Sequence, residues 1–200
     1  MILTYGESEK GLVRKVNEDA INLSVNNLYL LADGMGGYDG GQIASSLAVQ
    51  SAGRFLGSVP AFSEQLLKES FYAANRAILN EKKDNPELRS MGTTMVAAAE
   101  AGDKLVWAHV GDSRLYRFQQ GKLEQITVDH SFVMELVNEG KLSRAEMRVH
   151  PRKNETTRAV GIEDELKVDT GSFPLENGTF ILLCTDGVSG MVEDRDLESL

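Results

Sequence analysis

Short runs of apolar residues, separated by polar turns, open the chain. Runs bounded by glycine, asparagine or charged residues predict strands over residues 2–7, 20–24 and 28–32, with Asn26-Asn27 as a turn before the third strand. The third run ends at Asp33, which is followed by a glycine-rich loop.

The apolar period then lengthens to that of a helix. A helix is predicted over residues 41–56, with alanines that permit close packing beside its apolar face. A second helix begins near Ser63, a residue type that favours N-caps, and ends before Pro86. The apolar face of the first helix comprises Ile43, Leu47, Ser51 and Phe55.

In the second half of the chain, apolar and polar residues alternate in the way that is typical of strands. The polar segment 131–150 contains two short helical patterns around Gly140, and we expect it to form a lid. The order of strands, two helices and many strands, without repeats, favours an α+β layered sandwich in a single domain spanning residues 1–200. The later strands are predicted over residues 93–100, 104–110, 114–119, 122–125, 167–173 and 179–185.

Composition narrows the class of protein. The 200 residues are 42% hydrophobic and carry a net charge of −9, which suits a globular core and argues against nucleic acid as a partner. No apolar run is long enough for a membrane span, and the start lacks the features of a signal peptide. A single cysteine, Cys184, excludes an intramolecular disulfide and a thiolate zinc cluster, so a cytoplasmic location is expected.

Candidate chemistry lies in four aspartates that adjoin apolar runs. Carboxylates delivered by strand ends can converge, and their mutual repulsion would be relieved by a divalent cation. Oxygen ligands without thiolate favour Mg²⁺ or Mn²⁺, and a nearby arginine offers a fork for phosphate oxygens. Two such cations about 3.5–4 Å apart activate water, so no serine or cysteine nucleophile is required. The residues concerned are Asp19, Asp33, Asp112 and Asp186, with Arg14.

Each of these residues also has an ordinary structural interpretation. Asp33 could be a hairpin aspartate and Asp112 a turn residue, while Asp19 could cap a strand end. Asp129 is interpreted as a turn that caps the next helix, and His109 as a core or edge histidine. The glycine-rich loop lacks the lysine of a P-loop. Arg14 could be a surface base, His150 structural, and Cys184 an inert buried thiol.

In combination these blocks resemble the metal-dependent serine/threonine protein phosphatases of the 2C type (the PPM family), in particular its bacterial branch. Any one Asp-Gly pair is weak evidence, whereas blocks that follow the family's order from Gly11 to Asp196 are specific. The blocks are Gly11-Leu12-Val13-Arg14 with Asn17-Glu18-Asp19, Ala32-Asp33-Gly34-Met35-Gly36-Gly37, Met91-Gly92-Thr93-Thr94, His109 to Arg117, Asp129-His130-Ser131, His150-Pro151 with Asn154, and Cys184-Thr185-Asp186-Gly187.

The resemblance implies a four-layer α-β-β-α sandwich of two antiparallel sheets flanked by helices, with two or three Mn²⁺ or Mg²⁺ ions at one end. It implies that Asp33 bridges two ions and that the Gly34 carbonyl binds one of them. Asp186 would hold the first ion and, with Asp112, a looser third. Asp19 would act through water, and Arg14 would bind the substrate phosphate.

Two departures from the family pattern change the expectations. Bacterial members usually have histidine, a candidate proton donor, where this chain has Tyr38. Because the ordinary pKa of tyrosine is about 10, we expect activity on an aryl phosphate to persist better than on phosphoserine. The family's last block, which contributes another aspartate, has no counterpart in these residues, so weaker metal binding is expected.

Phosphorylated proteins are the expected partners, together with a serine/threonine kinase and its substrates. Two alternatives stay open. One is a catalytically weak relative that binds phosphoproteins without turnover, and the other is a narrow phosphatase for an anti-anti-sigma factor. The oligomeric state is not predicted.

Overall fold

A computed structural model describes residues 3–37 and 39–199. Its α-helices are α1 (Gly40–Leu56), α2 (Glu64–Asp84), α3 (Phe132–Asn138), α4 (Arg144–Met147), α5 (Asp186–Ser189) and α6 (Asp194–Glu198). Its strands are β1 (Asp19–Asn22), β2 (Leu28–Met35), β3 (Gly92–Thr93), β4 (Met95–Ala101), β5 (Lys104–Val110), β6 (Arg114–Gln119), β7 (Lys122–Gln125), β8 (Asp169–Pro174) and β9 (Phe180–Cys184).

The strands form two antiparallel sheets. The larger has the order β1-β2-β4-β5-β8, with the short β3 paired to the end of β2, and the smaller has the order β7-β6-β9. The β5–β6 connection therefore crosses from one sheet to the other through the turn at Gly111 to Ser113. Each hairpin turn that the sequence predicted, at 101–103 and at 120–121, joins neighbouring strands.

β4 is buried on both faces because a hydrophobic layer lies on each side of it. Ala97 and Ala99 face the core that the large sheet shares with α1 and α2, whereas Val96 and Ala98 face the core between the sheets. The helices thus form an outer layer against the large sheet. Two short helices contact the small sheet, α5 at β9 and α6 at β7. The predicted α+β fold of two antiparallel sheets and flanking helices is confirmed.

Helix α1 buries its alanine face rather than the face of large residues. Ala44, Ala48 and Ala52 are completely buried, while Ile43 and Phe55 lie at the margin of the core. Small side chains allow α1 to approach β1 and β2 closely. The helix is therefore held against the strands that carry Asp19 and Asp33.

Two predicted elements differ from the structure. Residues 3–7 form no strand, because the apolar side chains Leu3 and Tyr5 find no buried face and are 90% and 84% exposed. Ile2 lies outside the described residues. β2 continues past Ala32 to Met35, because Gly34 and Met35 pair with β3. No helix within the described ranges is long and apolar enough to span a bilayer.

Candidate metal centre

Asp19 and Asp33 face each other across β1 and β2, where their Cα atoms are direct partners. The backbone of Asp33 is fixed from the other side. Its N–H donates to Thr94 Oγ1 at 3.1 Å, and its carbonyl accepts from the Thr94 N–H at 2.9 Å and from Thr93 Oγ1 at 2.8 Å. These bonds hold the Asp33 main chain in one position at the end of the sheet.

Asp112 and Asp186 approach from the small sheet. Asp112 lies in the turn before β6 and accepts a hydrogen bond from Thr156 Oγ1 at 3.1 Å. Asp186 begins α5 directly after β9, and the preceding Thr185 donates its hydroxyl to Asp19 Oδ2 at 3.0 Å. Strand ends from both sheets therefore bring carboxylates to the same end of the sandwich.

A contact between two glycines closes the floor of this site. The Gly34 N–H donates to the Glu18 carbonyl at 3.0 Å. A Cβ added at Gly34 would lie 2.0 Å from the Gly41 carbonyl oxygen, and one at Gly41 would lie 2.9 Å from the Gly34 carbonyl carbon. Because any larger residue at either position would clash, α1 and β2 can approach this closely only with glycine at both.

Electrostatics shows that the four carboxylates interact. Burial, reinforced by repulsion from Asp19, Asp186 and Asp112, raises the pKa of Asp33 to about 8. Burial and repulsion from Asp186 raise the pKa of Asp112 to about 6. Burial also raises the pKa of Asp19, although hydrogen bonds from Thr185 and Asp33 and the charge of Arg14 oppose this change. An Asp33 carboxyl that keeps its proton near neutral pH is a group that a cation would ionise.

A comparison with protein families decides the class of protein. The sequence profile of the family described as Protein phosphatase 2C matches residues 13–200. The chain belongs to the protein phosphatase 2C family.

Individual relatives agree. The serine/threonine phosphatase Stp of Listeria welshimeri is 36% identical over 96% of this chain and 80% of its own length. The solved structure of the Mycobacterium tuberculosis serine/threonine phosphatase PstP superposes with a TM-score of 0.90 at 36% identity, covering 96% of this chain and 82% of that one. A PstP catalytic-domain structure in complex with two manganese ions gives a TM-score of 0.87 at 34% identity, covering 96% and 81%. The predicted family and enzyme class, a metal-dependent protein serine/threonine phosphatase, are confirmed.

The donor set of this phosphatase fits Mn²⁺ or Mg²⁺, since its converging side chains offer only carboxylate oxygens. In residues 3–37 and 39–199, no three His, Cys, Asp or Glu side chains form a group that could hold a metal ion as they stand. The chemistry of these oxygen ligands nevertheless fits the ions.

Arg14 lies at the edge of the carboxylates with a free guanidinium group. Its side chain is 78% exposed, and Nη1 is 4.0 Å from Glu18 Oε2. Its charge opposes the rise that burial produces in the pKa of Asp19, so Arg14 lies within electrostatic range of that carboxylate. An exposed guanidinium beside a cation site is suited to bind a phosphate group that enters from solvent.

A cavity of about 100 Å³ adjoins the carboxylates on the side of the predicted lid. It combines the carboxylates of Asp112 and Asp186 with basic residues of the segment that follows α4. Arg14, Asp19 and Asp33 are not in its lining. The lining comprises Asp112, Arg114, Asp129, Ser131, Val133, Met147, Arg148, Lys153, Asn154, Asp186, Ser189 and Gly190.

Other sequence-predicted residues have structural places. Asp129 does not cap α3, because Ser131 does so by accepting from the Met134 N–H; Asp129 instead binds Arg114 through two parallel bonds of 2.9 and 2.6 Å. His109 is completely buried, as predicted, and burial lowers its pKa to about 3. Cys184 is buried, as predicted, with its pKa raised to about 12. Tyr38 lies outside the described residues.

Sequence reasoning missed the hydroxyl residues that support the carboxylates. Thr185 and Thr156 donate to Asp19 and Asp112, and Thr94 binds both the Asp33 main chain and Ser113 Oγ, the latter at 2.6 Å. A signal was available, because Thr94 and Thr185 lie within the family blocks quoted above. Only the fold shows which carboxylate each hydroxyl contacts.

Proposed function

We propose that this chain hydrolyses phosphoserine and phosphothreonine in proteins at a binuclear Mn²⁺ or Mg²⁺ centre. Asp33, Asp186 and the Gly34 carbonyl would hold the two ions, with Asp19 acting through water. The observation that carries the proposal is the convergence of Asp33 with three other carboxylates at a buried position; burial, together with their repulsion, raises the pKa of Asp33 to about 8. Asp112 and Asp186 would hold a third ion.

When bound, the two ions activate a water molecule for direct attack on phosphorus. The chain's own contribution begins with deprotonation. The pair of Asp19 and Asp33 must release the proton that burial and mutual repulsion retain, and the Thr185 hydroxyl already stabilises Asp19 as an anion. Both Asp33 carboxylate oxygens are then available as ligands, while the Thr94 bonds fix the main chain behind them.

Arg14 would bind the phosphate of the substrate. Its planar fork matches two phosphate oxygens, and its positive charge offsets the negative charge that builds up during transfer. The side chain is free to turn toward a substrate, since its described contact is a single pair with Glu18 at 4.0 Å. No nucleophilic side chain is required.

Residues 131–150 would form a lid, or flap, over the cleft. The segment leaves and returns at one point, because Ser131 and Thr156 form an isolated bridge and the Phe132 N–H donates to the Glu155 carbonyl at 2.9 Å. Arg148 and Lys153 line the cavity beside the carboxylates. Their positive charge would attract phosphorylated or acidic protein segments, such as those of a serine/threonine kinase or its targets.

The test is Mn²⁺-dependent release of phosphate from a phosphothreonine peptide. We expect release that EDTA abolishes and that Asp33→Asn lowers by at least about a hundredfold, because a carboxylate that would hold the ions is lost. Asp103→Asn, in the distant β4–β5 turn, serves as a matched control and should retain full activity.

Two outcomes contradict the proposal. Activity that survives in Asp33→Asn would exclude the carboxylate centre. Stoichiometric binding of the phosphopeptide by folded protein, with no phosphate released at millimolar Mn²⁺, would favour a relative that binds phosphoproteins without turnover.

A further inference from the structure

The turn that carries Asp112 depends on support from outside the turn. Gly111 has φ +110°, and a Cβ added there would lie 2.5 Å from Thr94 Cβ. The turn that connects the two sheets therefore requires glycine at position 111 and can adopt few conformations. The groups that bind the Gly111 peptide therefore fix the main chain from which the Asp112 side chain extends.

His130 binds both polar groups of Gly111. The His130 N–H donates to the Gly111 carbonyl at 2.7 Å, and the Gly111 N–H donates to His130 Nδ1 at 3.1 Å. The imidazole is only 6% exposed, so water does not compete readily for these bonds. Two hydrogen bonds therefore join His130 to Gly111, and the imidazole side chain accepts one of them.

A second set of contacts fixes the tautomer of that imidazole. Because Nδ1 accepts a hydrogen bond, the ring proton is on Nε2, where Asp169 Oδ2 accepts it at 3.1 Å. Arg158 Nη1 donates to the other oxygen of Asp169 at 3.1 Å and also lies 3.2 Å from Nε2, a contact between two donors that is not a hydrogen bond in this tautomer. The His109 ring lies against the imidazole, with 4.6 Å between centroids. Through His130, Arg158 and Asp169 are thus connected to the turn that carries Asp112.

We propose that His130 is a positioning residue that orients Asp112 for metal binding, by accepting the Gly111 N–H at Nδ1 in the tautomer that Asp169 selects. The proposal rests on the proposed function of Asp112 as a ligand. Residues that hold a ligand from outside the first coordination shell typically change metal affinity by about ten- to a hundredfold when substituted. If His130 only filled space, a replacement without a hydrogen-bond acceptor would leave the Mn²⁺ affinity unchanged.

Asn and Leu are matched replacements, because they have the same branched shape and differ in hydrogen bonding. In His130→Asn, Oδ1 can occupy the place of Nδ1 and accept the Gly111 N–H, whereas His130→Leu has no acceptor. We would titrate both variants, wild type and Asp112→Asn with Mn²⁺ by calorimetry. We expect the Mn²⁺ affinity of His130→Leu to fall about tenfold at the same site that Asp112→Asn weakens. The Mn²⁺ affinity of His130→Asn should stay near that of wild type.

A metal-free measurement separates this proposal from the proposed function. In ¹⁵N-labelled protein without metal, the Gly111 amide should exchange slowly in wild type and His130→Asn and faster in His130→Leu. The imidazole nitrogen spectrum should show protonation at Nε2 only. Unchanged Gly111 exchange in a folded His130→Leu, equal losses of Mn²⁺ affinity in both His130 variants, or a proton on Nδ1 would overturn the role of His130. Failure of Asp33→Asn to alter activity would instead refute the metal centre and leave the exchange result interpretable.

Discussion

Asp33 and Asp19 are direct cross-strand partners at the end of the large sheet. Side chains at such paired positions lie on the same face, with Cα atoms about 4.5–5.5 Å apart. Two ionised carboxylates at that distance repel each other, and burial of Asp33 adds to the cost. Either a proton or a cation can reduce this repulsion. Protonation and metal binding therefore compete for Asp19 and Asp33.

The stability of the metal-free protein should fall as pH rises toward 8.5. An aspartate that titrates near 3.9 when unfolded and near 8 when folded stabilises the fold through its protonated form. This contribution is complete below about pH 4 and is lost as pH rises through about 8. We expect the wild-type Tm in EDTA to fall by a few degrees between pH 6.5 and 8.5 relative to Asp33→Asn.

That comparison isolates Asp33 because the other carboxyl groups of the site titrate in both proteins. The buried histidines, whose pKa values burial lowers, contribute alike in both proteins and cancel from the comparison. Parallel Tm curves for wild type and Asp33→Asn over this range would show that Asp33 is ionised in the metal-free fold.

Binding of Mn²⁺ should release protons. At pH 6.5 the Asp33 carboxyl is mostly protonated and must ionise to become a ligand. Calorimetry in two buffers of different ionisation enthalpy should therefore give different apparent enthalpies, corresponding to about one proton per protein. Apparent affinity should rise with pH, by at most about tenfold per unit. Identical enthalpies in both buffers would mean that no proton leaves.

Substitution of Arg14 should weaken catalysis without weakening the fold. Its side chain is 78% exposed, so little packing is lost in Arg14→Ala. Hydrogen bonds to charged groups contribute about 1.5–3 kcal/mol, so we expect kcat/KM on a phosphopeptide to fall roughly ten- to a hundredfold with an unchanged Tm. Arg14→Lys should recover only part of this, because lysine lacks the planar fork.

The neighbouring Lys15 provides the control for charge alone. It is also exposed, and Lys15→Ala removes the same formal charge one residue away. If Lys15→Ala and Arg14→Ala reduce kcat/KM equally, Arg14 contributes general electrostatic attraction and makes no specific phosphate contact.

Local pattern was sufficient for most of the fold. The strands β5, β6 and β7 begin and end where alternation and turn residues predicted, because each hairpin is determined by contacts near in sequence. The segment 3–7 has the same alternation but no sheet to pair with, so it is irregular. β2 runs past Asp33 because β3, about sixty residues later, supplies partners that no local pattern contains.

The candidate site likewise has residues that local sequence predicts and residues that it does not. Asp19, Asp33, Asp112 and Asp186 could be named from sequence because each adjoins an apolar run. Their supports could not, because Thr156 lies 44 residues from Asp112 and Thr185 lies 166 residues from Asp19. Asp129 shows the limit most clearly: its position before a helix indicated a cap, whereas Arg114 in β6 takes its carboxylate.

The Arg114–Asp129 pair should matter more for stability than an exposed pair of the same type. Arg114 and Asp129 have side chains 16% and 6% exposed, and Tyr116 Oη links Arg114 to Asp194 with bonds of 2.8 and 2.9 Å. Removing one partner of a buried pair leaves an uncompensated charge. We therefore expect Asp129→Asn to lower the free energy of unfolding by about 3–5 kcal/mol in urea.

The Arg117–Glu124 pair on the neighbouring strands is the matched comparison, since Glu124 is 57% exposed. Glu124→Gln should cost at most about 1 kcal/mol, because water screens the pair. Replacing both partners of the buried pair, as Arg114→Met with Asp129→Leu, should recover part of the loss, since no unpaired charge remains. Equal effects of Asp129→Asn and Glu124→Gln would show that Arg114 finds solvent or another carboxylate when Asp129 is neutral, and that its burial contributes little to the stability of the fold.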